Sequence, residues 1–218
     1  MTLGITRSIQ IKNHRVILNG IVELTLSERS VGPFFRSLYR HYQINYPKFF
    51  KMDNLSQLCF LSAEILLQGT EFLRNTPGEE IGIILGNASS SWESDEKHQE
   101  SIRDRGDYFP SPSVFVYTLP NIMAGEIAIR HKIKGENTVF IFEQFDPGFW
   151  VEYVSELFQN QRVKGCLCGW VEWQRDYYES FLFVVEPKDH LKRPEKGGHW
   201  LVFDRLNLGK LFKGSLLL

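Results

Sequence analysis

The residues best placed to do chemistry meet at one point, Glu143-Gln144. They follow an apolar run from Thr138 to Phe142. They precede a sharp turn at Asp146-Pro147-Gly148, after which a helical pattern begins near Phe149. A buried strand that ends in a tight turn at a helix start suits a reactive side chain, because the turn presents it to the positive end of the helix. Yet neither Glu143 nor Gln144 is a ready nucleophile.

Other candidates carry less. Ser89-Ser90-Ser91 offers hydroxyls without the G-x-S-x-G context that exposes a serine nucleophile. Cys166 and Cys168 alternate along a strand and point to one face. A metal pair would need a second ligand pair at suitable spacing, which the sequence lacks, so they read with Cys59 as buried core thiols. No metal and no cofactor is expected. The six histidines, His14, His41, His98, His131, His190 and His199, read as surface or structural residues. Ser27 to Lys51 mixes Phe34, Phe35, Tyr39, Tyr42, Tyr46, Phe49 and Phe50 with Arg36, Arg40 and Lys48. It either binds an anionic ligand or forms a poorly regular segment whose rings pack on the body or an interface.

The elements that must hold these residues follow from pattern. Ser8 to Leu24 reads as two short strands with a turn near Lys12-Asn13-His14. Asp53 to Gly69 is the clearest helix: Asp53 caps it, Leu55, Leu58, Cys59, Ser62, Ile65 and Leu66 form a stripe, and Gly69 ends it. A strand from Ile81 to Leu85 closes at Gly86-Asn87, and polar Ser89 to Gly106 reads as a solvent-facing loop and helix. A Pro-rich loop at Pro110-Ser111-Pro112 leads to a helix over Asn121 to Ile133, a turn at Gly135 to Asn137, and then the central strand. Val151, Val154, Leu157 and Phe158 turn inward on the next helix. Val163 to Trp173 suits a strand buried on both faces. Phe181 to Val185 and Trp200 to Phe203 read as a hairpin around a charged loop, Glu186 to His199. Leu211 to Leu218 is a short apolar tail for the body or a partner. The alternation of strands and helices argues for an α/β layered fold with a mixed, mainly parallel sheet flanked by helices.

Composition bounds the rest. A chain of 218 residues predicts a single domain over 1–218. A net charge of −1 leaves no electrostatic footprint for nucleic acid. Three cysteines make no disulfide framework and fit a reducing cytoplasm. No apolar run suits a signal peptide or reaches the ~20 residues that span a membrane. The 17 phenylalanines point to a well-filled core or to an apolar surface that a partner covers.

The run SPSVFVYTLPNIMAGEIAIRHKIKGENTVF resembles the N-terminal half of a β-ketoacyl synthase, of the thiolase-like superfamily. Leu119-Pro120-Asn121, Ala124-Gly125, Ile129, Lys134-Gly135 and Asn137 fall where that family has them, with Glu136 in place of the usual Pro. Lys51-Met52-Asp53, and Gly169 with Glu172, match two further family patterns. Family spacing from Gly135 puts the nucleophile position at Gln144; an offset of one would put Glu143 or Phe145 there. The sequence EQFDPG is closest in pattern to chain-length factors, ketosynthase relatives that carry Gln in place of Cys.

The resemblance implies a thiolase-like half-fold and a non-catalytic role. Ketosynthase condensation needs a thiolate, two histidines and oxyanion donors. Gln144 cannot form an acyl-enzyme, and the family's catalytic histidines lie in a C-terminal half that this chain does not reach. An accessory or chain-length-factor-like protein of fatty-acid or polyketide (aryl-polyene-type) biosynthesis is the leading expectation. The alternatives are a malonyl- or acyl-thioester decarboxylase or acyltransferase completed by a partner, and a binding module for an acyl chain or acyl carrier protein using Arg36, Arg40 and Lys48. Asn121, Phe142 and Phe145 join Arg36 and Arg40 as candidate binding residues. A lone half would leave apolar surface in water, so a homodimer or a heterodimer with a full-length ketosynthase is expected, with acyl carrier protein as a further candidate partner. In the family the strand at Thr138 to Phe142 pairs across the dimer axis.

Overall fold

The computed structural model describes residues 1–28, 30–104, 106, 108–175, 177–188 and 200–214. The strands are β1 (Leu3–Lys12), β2 (Arg15–Leu18), β3 (Ile21–Thr25), β4 (Ile81–Asn87), β5 (Asn137–Ile141), β6 (Gly165–Gln174), β7 (Tyr177–Pro187) and β8 (Leu201–Val202). The helices are α1 (Val31–His41), α2 (Asn54–Leu67), α3 (Phe72–Asn75), α4 (Trp92–Ser101), α5 (Pro112–Val116), α6 (Ile122–His131), α7 (Pro147–Gln159) and α8 (Arg205–Lys213). Short 3-10 turns lie at Pro47–Lys51 and Gly78–Glu80.

All eight strands form one mixed sheet in the order β3-β2-β1-β7-β6-β4-β5, with β8 on β1. The parallel part is β6-β4-β5; the other pairings are antiparallel. That division follows from the connections. Helices bridge the strands of the parallel part, whereas two-residue turns join β1 to β2 and β2 to β3. Asn13 and His14 have φ of 49° and 57°, and Asn19 and Gly20 have 49° and 82°. Left-handed pairs of this kind match the twist of the strands they connect. The second turn makes three strands where two were expected.

Helices cover both faces. On one face α1, α2 and α6 pack over Ile9, Ile11, Ile83, Leu85, Leu167, Val171, Leu182 and Val184. On the other, α7 and α8 cover Ile5, Ile84, Cys166, Cys168, Trp170, Phe181, Phe183 and Val185. Ile5 and Ile9 have equal parity on β1 yet face opposite sides, because a register shift between Ile5 and Arg7 inverts the alternation. α2 is buried almost all round, so its apolar residues extend beyond one stripe to Phe60, Leu61, Ala63 and Leu67. Asp53 caps it by accepting from the Ser56 amide at 3.0 Å.

Further expectations change. Ser27 to Lys51 is regular: α1 buries Phe34, Phe35 and Leu38 at helical spacing, and Pro33 falls in the first turn, where its missing N–H costs nothing. The rings pack on the body, as one of the two readings held. The Pro-rich loop contains α5, which starts at Pro112 with Ser111 as its cap. The hairpin of Phe181–Val185 with Trp200–Phe203 does not form. Both edges of β7 are already taken by β1 and β6, so β8 pairs instead with Gly4 and Ile5 of β1. Of the expected charged loop, residues 189–199 lie outside the described residues, as does the end of the apolar tail, 215–218.

β5 lies at an end of the sheet, as expected, with its outer edge unpaired among the described residues. The second face is not bare. α8 lies beside α7 on it, and α7 turns Glu152, Glu156 and Gln159 to water. Exposed large apolar side chains lie instead at 108–119 (Tyr108, Phe109, Phe115, Val116, Leu119), on α6 at Ile129, on β5 at Ile141, on β3 at Ile21 and Val22, and at Met1, Phe50, Tyr177, Val202 and Leu206.

Candidate functional site

The parallel strands β4, β5 and β6 end on the same side of the sheet, where ligands of open α/β sheets commonly bind. The β5–α7 turn sits there. The Asn87 carbonyl, at the end of β4, accepts from the Phe142 amide at 3.0 Å and so fixes where β5 lets go. Glu143 and Gln144 are both exposed. Phe145 then turns inward, 9% exposed, with its ring 4.4 Å from Phe212, 5.6 Å from Phe181 and 6.1 Å from Trp150 between centroids. Asp146 caps α7, accepting from the Gly148 amide at 2.8 Å, and Pro147 opens the helix. The turn therefore has one anchored residue and two presented ones. A second set of rings fixes strand to helix: Phe142 lies 4.6 Å from Phe149, and Phe140 lies 4.9 Å from Phe149 and 5.0 Å from Tyr153.

Glu172 supports the same end of the sheet from β6. It is buried, and its Oε2 accepts from the amides of Ala88 at 2.7 Å and Ser89 at 3.3 Å. The carboxylate thus holds the chain that leaves β4. Gly169 allows the β6–β7 pairing beside it: a Cβ there would lie 2.1 Å from the Phe181 carbonyl oxygen. Gly135 is needed for the same kind of reason, since a Cβ would lie 2.4 Å from the Ile81 carbonyl oxygen, whereas one on Gly125 would meet open space. Two of the three glycines that carried the resemblance thus have a steric requirement.

The turn presents a carboxylate, Glu143, and a carboxamide, Gln144. Gln144 is a neutral carboxamide that no described residue hydrogen-bonds. Histidines do not gather at the turn among the described residues. His14 lies against Phe34 and Tyr178, His41 against Tyr42, His98 against Phe115, and His131 Nε2 lies 2.9 Å from Glu64 Oε1. His190 and His199 lie outside the described residues. Cys59, Cys166 and Cys168 are buried core thiols, as expected. Burial pushes the thiols of Cys59 and Cys168 upward, so they stay protonated and unreactive.

The candidate binding residues divide between the two faces. Phe142 and Phe145 stand at the turn on the α7 side. Asn121 is exposed at the start of α6, on the opposite helical layer, and makes no side-chain cap. Arg36 and Arg40 are exposed on α1. Lys48 instead pairs with buried Glu126 at 2.8 Å. The platform under Phe145 was missed at sequence level, although its signals are present. Asp204 caps α8 through the Asn207 amide at 2.8 Å, Leu208 and Leu211 turn inward, and Gly214 ends the helix at a φ of 67°.

The arrangement as a whole is a ketosynthase-type, thiolase-like fold. Three solved structures lie close to it. The ishigamide ketosynthase/chain length factor superposes with a TM-score of 0.64 at 18% identity over 89% of this chain and 64% of that one. A type II polyketide synthase complex, AntDE with the acyl carrier protein AntF, gives 0.62 at 14% over 87% and 63%. The ketosynthase ApeO with its chain length factor ApeC, from Xenorhabdus doucetiae, gives 0.56 at 13% over 85% and 79%. The chain spans a little under two thirds of the first two. No protein-family model and no curated protein matches the sequence. Among the described residues no helix is long and apolar enough to cross a membrane.

Proposed function

We propose that this chain is a non-catalytic, ketosynthase-like accessory protein of the chain-length-factor type, working beside a Cys-bearing ketosynthase in fatty-acid or polyketide (aryl-polyene-type) assembly. The observation that carries the reading is the β5–α7 turn. At the end of β5, where the resembling family places its nucleophile, stands an exposed glutamine with no thiol or imidazole beside it among the described residues. The unpaired β5 edge supports the partner. It carries no charge from Asn137 to Ile141, and Ile141 is 47% and nearby Ile129 66% exposed. Such an edge is a template for strand pairing, and covering the adjoining apolar surface would gain roughly 25 cal/mol per Å². Three free thiols fit a reducing compartment.

The test is affinity purification of the tagged chain from its own cells, with mass spectrometry of what accompanies it. A full-length ketosynthase in near-equal amount supports the reading, and Val139→Pro should remove it by spoiling the edge. Recovery of the chain alone counts against it. Turnover of malonyl-loaded carrier protein by the purified complex that vanishes in Gln144→Ala would replace it with the enzyme reading.

A further inference from the structure

α4 is held to the body differently from the other long helices. Its one apolar side chain is Trp92 and it buries only Ser94, whereas α2 buries 11 of its 14 residues. It also meets α5. The His98 ring lies 5.3 Å from that of Phe115, and Ser91, just before α4, donates its hydroxyl to the Thr118 carbonyl at 2.7 Å. But α5 buries no residue of its own and so adds no anchor. Helices held by packing resist local opening, and those held by a few polar contacts open first.

The contacts of α4 with the body sort into a root, a hinge and a latch. The root is the end of β4. Glu172 accepts from the Ala88 and Ser89 amides, and the Asn87 carboxamide donates to the Ser90 carbonyl at 2.9 Å. Ser90 is the hinge. Its φ of 51° lies in the left-handed region, which is costly for a residue with a Cβ. The latch is Glu93, whose carboxylate accepts from the Asn54 carboxamide at 3.1 Å, from the Trp173 indole N–H and from Lys97. Ser94 adds one bond, donating its hydroxyl to Asp53 at 2.9 Å, and Arg175 lies over the Trp92 ring at 5.0 Å. A cleft of about 200 Å³ separates the starts of α2 and α4, with Asp53, Leu55, Ser91 and Trp173 in its walls.

From the strained hinge, the polar latch and the cleft beneath, we infer that α4 is a flap that swings out about Ser90 as one unit while the sheet and α2 stay folded. Opening relieves the Ser90 backbone and uncovers Leu55 and Trp173, which are 6% and 7% exposed when the flap is closed. The flap thus gates a cleft that offers one carboxylate, Asp53, and one indole, Trp173. The root stays in place, because Glu172 and Asn87 hold it. The β5–α7 turn, tied by its Phe142 amide to the Asn87 carbonyl, is therefore undisturbed by the motion. Neither the β5 edge nor Gln144 takes part in it.

The test is native-state hydrogen–deuterium exchange of the full chain, read amide by amide by NMR. Relative to their intrinsic rates, the amides of 96–101 should exchange at least about 100-fold faster than those of α2, and with one common protection. Glu93→Ala should speed them about ten-fold and leave α2 and β7 unchanged. Ser90→Gly, which removes the strain of the closed hinge, should slow them several-fold. If Glu93→Ala does not fold by circular dichroism, Asn54→Ala removes one latch bond instead, with a few-fold rise expected. Four results would each overturn the flap. They are protection of α4 equal to that of α2, protection graded towards Ser101 as in a fraying end, a latch variant that speeds α2 as much as α4, and unchanged or faster exchange of α4 in Ser90→Gly.

Discussion

Replacing Phe145 and Gln144 by alanine, one at a time, should give opposite results despite their adjacency. Phe145 is 9% exposed, and its ring touches Phe212, Phe181, Trp150 and Trp170. Truncation removes the burial of most of a phenyl ring and leaves a cavity among rigid aromatic neighbours that cannot collapse into it. Such changes cost about 3–5 kcal/mol. For a domain of this size each kcal/mol lowers Tm by about 2–4 °C, so a fall of roughly 6–20 °C follows. Gln144 is exposed and makes no hydrogen bond to a described residue, so its truncation should stay within about 0.5 kcal/mol. Urea unfolding followed by tryptophan fluorescence measures both, with an unchanged m-value as the check that the denatured state is the same. The reasoning is refuted if the two variants lose similar stability, or if Gln144→Ala is the costlier. Either outcome would mean that the turn is shifted by one residue and that a different side chain faces outward.

Three further outcomes follow from the same geometry. Gln144→Cys should add one fast-reacting thiol per folded chain to a titration with Ellman's reagent, whereas the three buried native cysteines should react only on unfolding. Glu172→Leu should cost about 2–4 kcal/mol by stranding the Ala88 and Ser89 amides, and Glu172→Gln about 1 kcal/mol, since the carboxamide oxygen still accepts; thermal unfolding separates them. Burial pushes the Glu64 carboxyl up, but hydrogen bonds from His131 and Arg130 pull it further down, to below its ordinary value. The folded value is the lower one, so this stabilisation is complete above the unfolded value of about 4.3 and is lost as pH falls through the folded value. Glu64→Gln should therefore flatten the acid limb of a Tm–pH profile below about pH 5; an unchanged limb would assign it to other groups.

What the sequence made legible was whatever depends on local chemistry. Asp53 as a cap, Gly69 as a stop, the β5 run and the Asp146-Pro147-Gly148 turn are each set by a few neighbouring residues, and each appears in place. Lost were the features that depend on competition between distant segments. Whether β8 pairs with β7 or β1 is decided by β6 and β1 having occupied both edges of β7, which no local pattern records. Two other misses were readable. Asn19-Gly20 is a strong two-residue hairpin signal, and Val31, Phe34, Phe35 and Leu38 have helical spacing. The aromatic density of the segment masked that spacing, because rings pack well on a surface of any shape. At the site, the Asp146-Pro147-Gly148 turn was legible, but what anchors it was not: that depends on Phe145 finding Phe212 on α8, far away in sequence.

The turn and the β5 edge are one mechanical unit, which bears on how an accessory role would work. Phe140 on β5 and Phe142 just beyond its end project to the same side, where Phe149 and Tyr153 meet them from successive turns of α7. Strand and helix are thus joined along their length, and Gln144 sits in the short connection between them. A protein that pairs with β5 would grip this unit through its backbone and would fix the turn without touching it. Conversely, the turn cannot move far while the ring cluster holds. A non-reacting residue at such a place can shape the space beside a partner only if its own support is rigid. The two sets of aromatic contacts, with the Asp146 cap, supply that rigidity from within the chain.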